Sequence, residues 1–172
     1  MTPPAVILRD VTDADFGVIC ELRGDFELQH QLMAHPAERT QTDAEDWVRR
    51  RTGQGRLWMI VGPNGGQAIG FVQVSRQHFI DLYAYFGIAV ARREAGKGIG
   101  RSAMTSFIGI AKHELKLHKL LLEVRVDNGP ARALYSGLGF RTVGSLQEHY
   151  FDDIRRHDAL VMELLLHAGE LA

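Results

Sequence analysis

The sequence has one cysteine, Cys20, which excludes an intramolecular disulfide framework and fits a reducing compartment. It has almost no net charge: 20 Lys and Arg stand against 21 Asp and Glu, leaving −1 at pH 7. Bulk attraction to nucleic acid or to an anionic membrane therefore has no source, and neither is expected as a partner. No run approaches the roughly 18 apolar residues of a membrane helix, and no basic segment leading into an apolar run precedes residue 5, so a cytoplasmic protein is expected. Histidines are plentiful but scattered, and His113 and His118 lack a metal-ligand pattern, so no metal is expected. Repeats, low-complexity tracts and linker-like stretches are lacking too, which predicts a single domain over residues 1–172 with its core at about 5–166.

What is present suits an ordinary buried core: 45% of the 172 residues are hydrophobic and 24% charged. Residues 5–9 read as an opening strand, and Thr12 or Asp13 caps a helix through about Leu22. Cys20 falls inside that helix and reads as core rather than as a catalytic thiol. Residues 23–40 have no periodicity and predict a loop or a broken helix. Thr42 and Glu45 have capping-box spacing and open a helix carrying Trp47, Val48 and a solvated basic trio at 49–51.

Apolar segments at 57–61 and 68–74 flank Gly62-Pro63-Asn64-Gly65-Gly66, the pattern of a hairpin, and 82–90 reads as a third strand. Ile99, Ala103, Met104, Phe107, Ile110 and Ala111 recur at three and four residues, one face of a helix over 99–115. A strand at 119–126, a short helix at 130–138 with Pro in its first turn, and strands from Thr142 and over 158–166 complete the order. The fold class is α+β, a mostly antiparallel mixed sheet of about six to seven strands flanked by about four helices.

Between the strand ending near Val90 and the helix starting near Ile99 lies Arg92-Arg93-Glu94-Ala95-Gly96-Lys97-Gly98-Ile99-Gly100-Arg101. Glycines there let the backbone turn sharply and gather N–H groups, and the helix N-terminus adds about half a positive charge. Arg93, Lys97 and Arg101 add full charges, which suits a pyrophosphate. A structural turn with solvated basic residues uses the same glycines, so the loop alone leaves both readings open. A Walker loop is not matched, because Ile99 follows Gly98 where a Lys and then Ser or Thr are required. A dinucleotide fold is not matched either, because the loop follows a hairpin and a third strand rather than the first strand of a βαβ unit.

Downstream comes Glu123-Val124-Arg125-Val126-Asp127-Asn128-Gly129-Pro130-Ala131-Arg132-Ala133-Leu134-Tyr135-Ser136-Gly137-Leu138-Gly139-Phe140. Together with Arg93-x-x-Gly96-x-Gly98, this resembles the GCN5-related N-acetyltransferase (GNAT) family over roughly residues 5–166. The resemblance implies a GNAT-like fold and acetyl-coenzyme A as the acetyl donor. It implies that backbone of Ile88, Ala89 and Val90 pairs with the pantetheine arm as an added strand. Arg93, Gly96, Lys97, Gly98, Ile99, Gly100 and Arg101 would then surround the pyrophosphate, with Asn128 and Ala131 on the arm.

By the same resemblance Tyr135 stands near the sulfur and gives a proton to the leaving thiolate, and a backbone N–H near Ile88 stabilises the oxyanion. Glu123 resembles the base of bacterial enzymes that acetylate the N-terminus of a ribosomal protein; a solvent-facing strand carboxylate is the plainer reading. Asp81, Tyr83 and Tyr85 are further candidates for the amine, against a packed aromatic stripe. His157 is a candidate for touching substrate, against a surface loop histidine.

The expected function is transfer of an acetyl group to a primary amine by direct attack in a ternary complex, the acceptor being a small molecule such as an amino acid. A protein N-terminus or a polyamine is the alternative acceptor, and a non-catalytic acyl-coenzyme A sensor or a nucleotide-binding protein the alternative of another class. The resemblance is compatible with a homodimer. Acceptor-binding residues are expected in 23–51 and after Gly144.

Overall fold

The computed structural model describes residues 5–36, 40–62 and 65–166. Pro63 and Asn64 of the hairpin turn lie outside them, as do residues 1–4. Seven strands form one sheet: β1 (Ile7–Asp10), β2 (Arg56–Val61), β3 (Ala68–His78), β4 (Tyr83–Val90), β5 (Lys119–Arg125), β6 (Arg141–Phe151) and β7 (Arg156–Leu165). Their order is β1-β2-β3-β4-β5-β7-β6. Every neighbouring pair is antiparallel except β4 and β5, which gives the mostly antiparallel mixed sheet that the sequence predicts.

The helices are α1 (Phe16–Gly24), α2 (Phe26–Gln31), α3 (Gln41–Gln54), α4 (Ile99–His113) and α5 (Gly129–Ser136). The helix beyond the expected four is α2, which resolves the described residues 23–36 in favour of a broken helix. Asp25 breaks it: its backbone is extended and its carboxylate accepts the Leu28 N–H at 3.0 Å, so it caps a new helix rather than continuing the old one. Two other caps shift. Thr12 opens a 3-10 turn (Asp13–Asp15) before α1, and Arg9 of β1 grips Asp15 through both oxygens at 2.7 and 2.8 Å. The capping box of α3 is Thr40 with Asp43, not Thr42 with Glu45; the Thr40 hydroxyl donates to Asp43 at 2.6 Å and accepts the Asp43 N–H at 3.2 Å. The same three-residue spacing occurs two positions earlier, and Asp serves as well as Glu.

Alternation along the strands sends residues to two layers. Ala84, Phe86 and Ile88 of β4 and Leu120, Leu122 and Val124 of β5 pack with the buried face of α4, which is Ile99, Ala103, Met104, Phe107 and Ala111. Met59, Phe71 and Ala89 meet α1 and α3 on the opposite face, where Trp47 lies 5.1 Å from Phe71 between ring centroids. Cys20 packs half-buried against this second layer and donates to the Thr40 carbonyl at 3.2 Å.

Phe107 is fully buried between Trp58 and Phe86, at 5.8 and 5.4 Å between centroids. Phe107→Ala is expected to cost about 3–5 kcal/mol in urea unfolding; a loss under about 1 kcal/mol contradicts this packing.

The feature that positions the site is a divergence. β4 and β5 pair only at Tyr83–Lys119, Ala84–Leu120 and Tyr85–Leu121. Beyond them β4 stays with β3 as far as Val90, and β5 stays with β7 as far as Arg125. The sheet therefore opens between Phe86–Val90 and Leu122–Arg125. Among the described residues no helix is long and apolar enough to cross a membrane, and no group of three or more His, Cys, Asp or Glu is placed to hold a metal.

Candidate active site

A cavity of about 630 Å³ occupies this opening and reaches from the start of α4 to α2 and the end of β6. At one end stands the glycine loop. Gly96 and Gly98 have φ of 75° and 81°, the left-handed region that favours glycine, and Gly98 is the N-cap of α4. The Ser102 N–H bonds the Gly98 carbonyl at 3.1 Å, so the N–H groups before it lack intrahelical acceptors and face outward at the positive end of the helix dipole. Gly96, Gly98, Ile99 and Gly100 line the cavity. A ligand with phosphate oxygens fits these donors.

Ile88, Val90, Asn128, Ala131, Tyr135 and Glu123 line the same cavity. Asn128 also caps α5, its amide oxygen accepting the Ala131 N–H at 3.2 Å, which leaves the amide N–H₂ free to donate. Tyr135 is 8% exposed, and burial pushes its phenol above the ordinary value, so the hydroxyl is protonated at neutral pH. Its ring packs edge-on to Phe86 at 6.0 Å and against Phe140 at 5.7 Å.

Four of the candidates for binding the cofactor stand apart from the cavity lining. Ala89 points into the layer of α1 and α3. Arg93 pairs with Glu21, Lys97 with Glu94 at 3.1 Å, and Arg101 donates to the Gly137 carbonyl at 3.2 Å. These contacts are exposed, and such pairs are worth about 0–1 kcal/mol, so a phosphate can exchange for them. Asp81 is exposed beside His78 at 3.2 Å, and Tyr83 stacks on His78; of that strand start only Tyr85 reaches the cavity.

Glu123 lies on the sheet face opposite Phe86 and Val124, and its side chain is 17% exposed. One oxygen takes Arg76 Nη2 at 2.9 Å and the other meets His149 Nε2 at 3.2 Å. Arg76 sits at an irregularity of β3, with φ 47°, and its guanidinium lies 3.6 Å over the Tyr85 ring. Arg76, His149, Gln73 and Ser75 also line the cavity. Sequence reasoning named none of these residues, although His149 falls in the stretch after Gly144 where acceptor contacts were expected; Arg76 and His149 lie 47 and 26 positions from Glu123, and nothing local marks them.

A second cavity of about 570 Å³ adjoins the first, between α2, Asn128 and the β6–β7 turn. His157 is buried at its back, neither on the surface nor open to substrate: it bridges Asp152 at 2.6 Å and Asp127 at 3.4 Å. Two carboxylates converging on the ring supply the polar partners that a loop histidine would take from water. Asp127 is held also by Arg125 through two bonds, at 2.8 and 2.6 Å. The Tyr150 hydroxyl donates to the Ala34 carbonyl at 2.9 Å and meets His30 Nδ1 at 2.6 Å, which assigns the ring proton to Nδ1.

The Arg155 N–H, together with His157, holds Asp152 far below the usual carboxylate range, and Arg125 lowers Asp127. A carboxylate with a depressed folded value contributes stability above about pH 4, the unfolded value, and loses it as pH falls toward the folded one. Asp152→Asn is therefore expected to lose less unfolding free energy than wild type between pH 7 and pH 3; equal losses contradict the role.

Comparison with known proteins agrees with this geometry. Residues 5–141 match the model of the acetyltransferase (GNAT) domain. The chain is 34% identical to spermidine N(1)-acetyltransferase of Vibrio cholerae over 97 residues, 56% of each chain, so the match spans about half of that relative's length. It is 22% identical to the L-amino acid N-acetyltransferase AaaT of Escherichia coli over 165 residues, 91% of this chain and 96% of the relative. The crystal structure of the Vibrio cholerae spermidine N-acetyltransferase with CoA and spermine superposes with a TM-score of 0.87 at 26% identity, covering 94% of this chain and 95% of that one.

Proposed function

The chain belongs to the acetyltransferase (GNAT) family, and from that premise we propose that it transfers the acetyl group of acetyl-coenzyme A to the primary amine of a small molecule. The observation that carries this reading is the cavity between the diverging strands, which joins the open N–H groups of α4 to Tyr135 and Glu123. Acetyl-coenzyme A supplies a thioester whose carbonyl carbon takes the amine's lone pair and whose thiolate leaves.

The loop from Gly96 to Gly100 holds the pyrophosphate through backbone N–H groups, with Lys97 and Arg93 turning from Glu94 and Glu21 to meet it. Ile88 and Val90, freed from β5 by the divergence, offer backbone groups to the pantetheine amides, and Asn128 adds its amide N–H₂. Tyr135 donates a hydrogen bond to the departing thiolate. Its raised pKa keeps the proton in place for that bond and makes complete transfer secondary. Glu123 accepts the proton of the acceptor ammonium, and the exposed His149 beside it leads that proton to solvent.

Two acceptor classes have support. The likeness to a spermidine acetyltransferase favours a polyamine, and the likeness to an L-amino acid acetyltransferase, which spans nearly the whole chain, favours an amino acid. Direct attack requires both substrates bound together. Initial rates with both concentrations varied are expected to give intersecting double-reciprocal lines; parallel lines would mean an acetylated enzyme and contradict the scheme.

A further inference from the structure

Resting on that acetyltransferase reading, we infer that the acceptor carries an anionic group next to its amine, and that Arg76 is the residue that binds it. The acceptor end of the cavity has the wrong charge for a polycation. Its lining carboxylate is Glu123, which Arg76 and His149 already meet; Glu94, the other carboxylate of the cavity, belongs to the loop at the cofactor end. The adjoining cavity repeats this, with Glu27 on Arg92, Asp127 on Arg125 and Asp152 on His157. Among the described residues lining the acceptor end and the adjoining cavity, every carboxylate already has a side-chain partner. A polyamine would have to displace a built-in partner for each charge it brings.

What the site offers instead is a neighbouring pair of opposite charges on one wall, Arg76 and Glu123 at 2.9 Å. An α-amino acid carries the same pair reversed, a carboxylate and an ammonium on one carbon. It can take both partners at once, its ammonium on Glu123 and its carboxylate on Arg76, so the exchange leaves no charge unmatched. Arg76 is prepared for this. Its guanidinium plane is fixed over Tyr85, it uses a single Nη2 donor toward Glu123, and its side chain is 59% exposed, so further donors of the fork remain open. Stacking holds the ring-facing side and leaves the donor edge for a planar carboxylate. Gln73 adds a buried amide oxygen without a partner among the described residues, an acceptor for ammonium protons on the same wall. The backbone of Arg76 occupies the left-handed region at the β3 irregularity, which turns this side chain onto the cavity instead of along the strand.

The test uses the full chain with saturating acetyl-coenzyme A and follows thiol release with the proteinogenic amino acids, then compares the best of them with its carboxamide, its decarboxylated amine and spermidine. The expected result is a kcat/KM for the amino acid about 100-fold above the amide and the amine, since a site built to bind a group rejects analogues that lack it. In Arg76→Gln the amino acid-to-amide ratio is expected to fall to within about threefold, and in Arg76→Lys to an intermediate value. The ratio cancels any general loss that these variants suffer through Glu123. Preference for spermidine or the plain amine, or a ratio that survives in Arg76→Gln, overturns the inference while leaving acetyl transfer intact. No thiol release with any acceptor, spermidine included, overturns the acetyltransferase reading and this inference with it.

Discussion

Tyr135→Phe is expected to lower kcat by about 10- to 1000-fold while leaving the affinity for acetyl-coenzyme A nearly unchanged. The substitution removes one oxygen and keeps the ring, so the contacts with Phe86 and Phe140 persist. No hydrogen bond from that hydroxyl to the described residues is lost, so stability is expected to hold. What disappears is the donor that the proposed scheme assigns to the thiolate, and a donor that acts in the transition state shows its loss in kcat rather than in binding. An unchanged kcat, with folding intact by thermal melting, removes Tyr135 from the mechanism.

Gly98→Asp is expected to weaken acetyl-coenzyme A binding by about 100-fold or more, by placing a carboxylate where the proposed scheme puts the pyrophosphate. Position 98 is the N-cap of α4, so the new carboxylate would also compete for the first N–H groups of the helix. Because φ is 81° there, any side chain adds strain of about 1–2 kcal/mol. Gly98→Ala separates the two causes: it carries the strain without the charge, and calorimetric titration is expected to find it much nearer wild type than Gly98→Asp. Equal losses in both variants would mean that the loop binds by shape alone, and normal affinity in Gly98→Asp would mean that the loop is only a turn.

Local patterns made much of this legible in advance. The three-and-four spacing from Ile99 to Ala111 identified the buried face of α4, because that periodicity is a property of one helix. Gly96 and Gly98 announced the turn, since their left-handed backbone is what selects glycine. Where competing local signals existed, the outcome depended on geometry: Thr40 and Asp43 rather than Thr42 and Glu45 closed the box on α3.

Long-range partners were not legible. Arg93 met Glu21 across 72 residues, which no motif in the loop encodes. His157 meets Asp152 from its own turn, but it gained Asp127 only when β7 came beside the end of β5. Arg76 came to line the cavity at a register irregularity in β3, and the divergence of β4 from β5 is a property of two whole halves of the sheet.

The measurement that tests the central claim most directly is release of free coenzyme A thiol from acetyl-coenzyme A by the wild-type chain, with and without a panel of primary amines. Thiol release that depends on an amine, with an equal amount of N-acetylated product by mass spectrometry, is the predicted result. Silence across amino acids, polyamines, aminoglycosides and N-terminal peptides, or tight binding of ATP with none of coenzyme A, would contradict it.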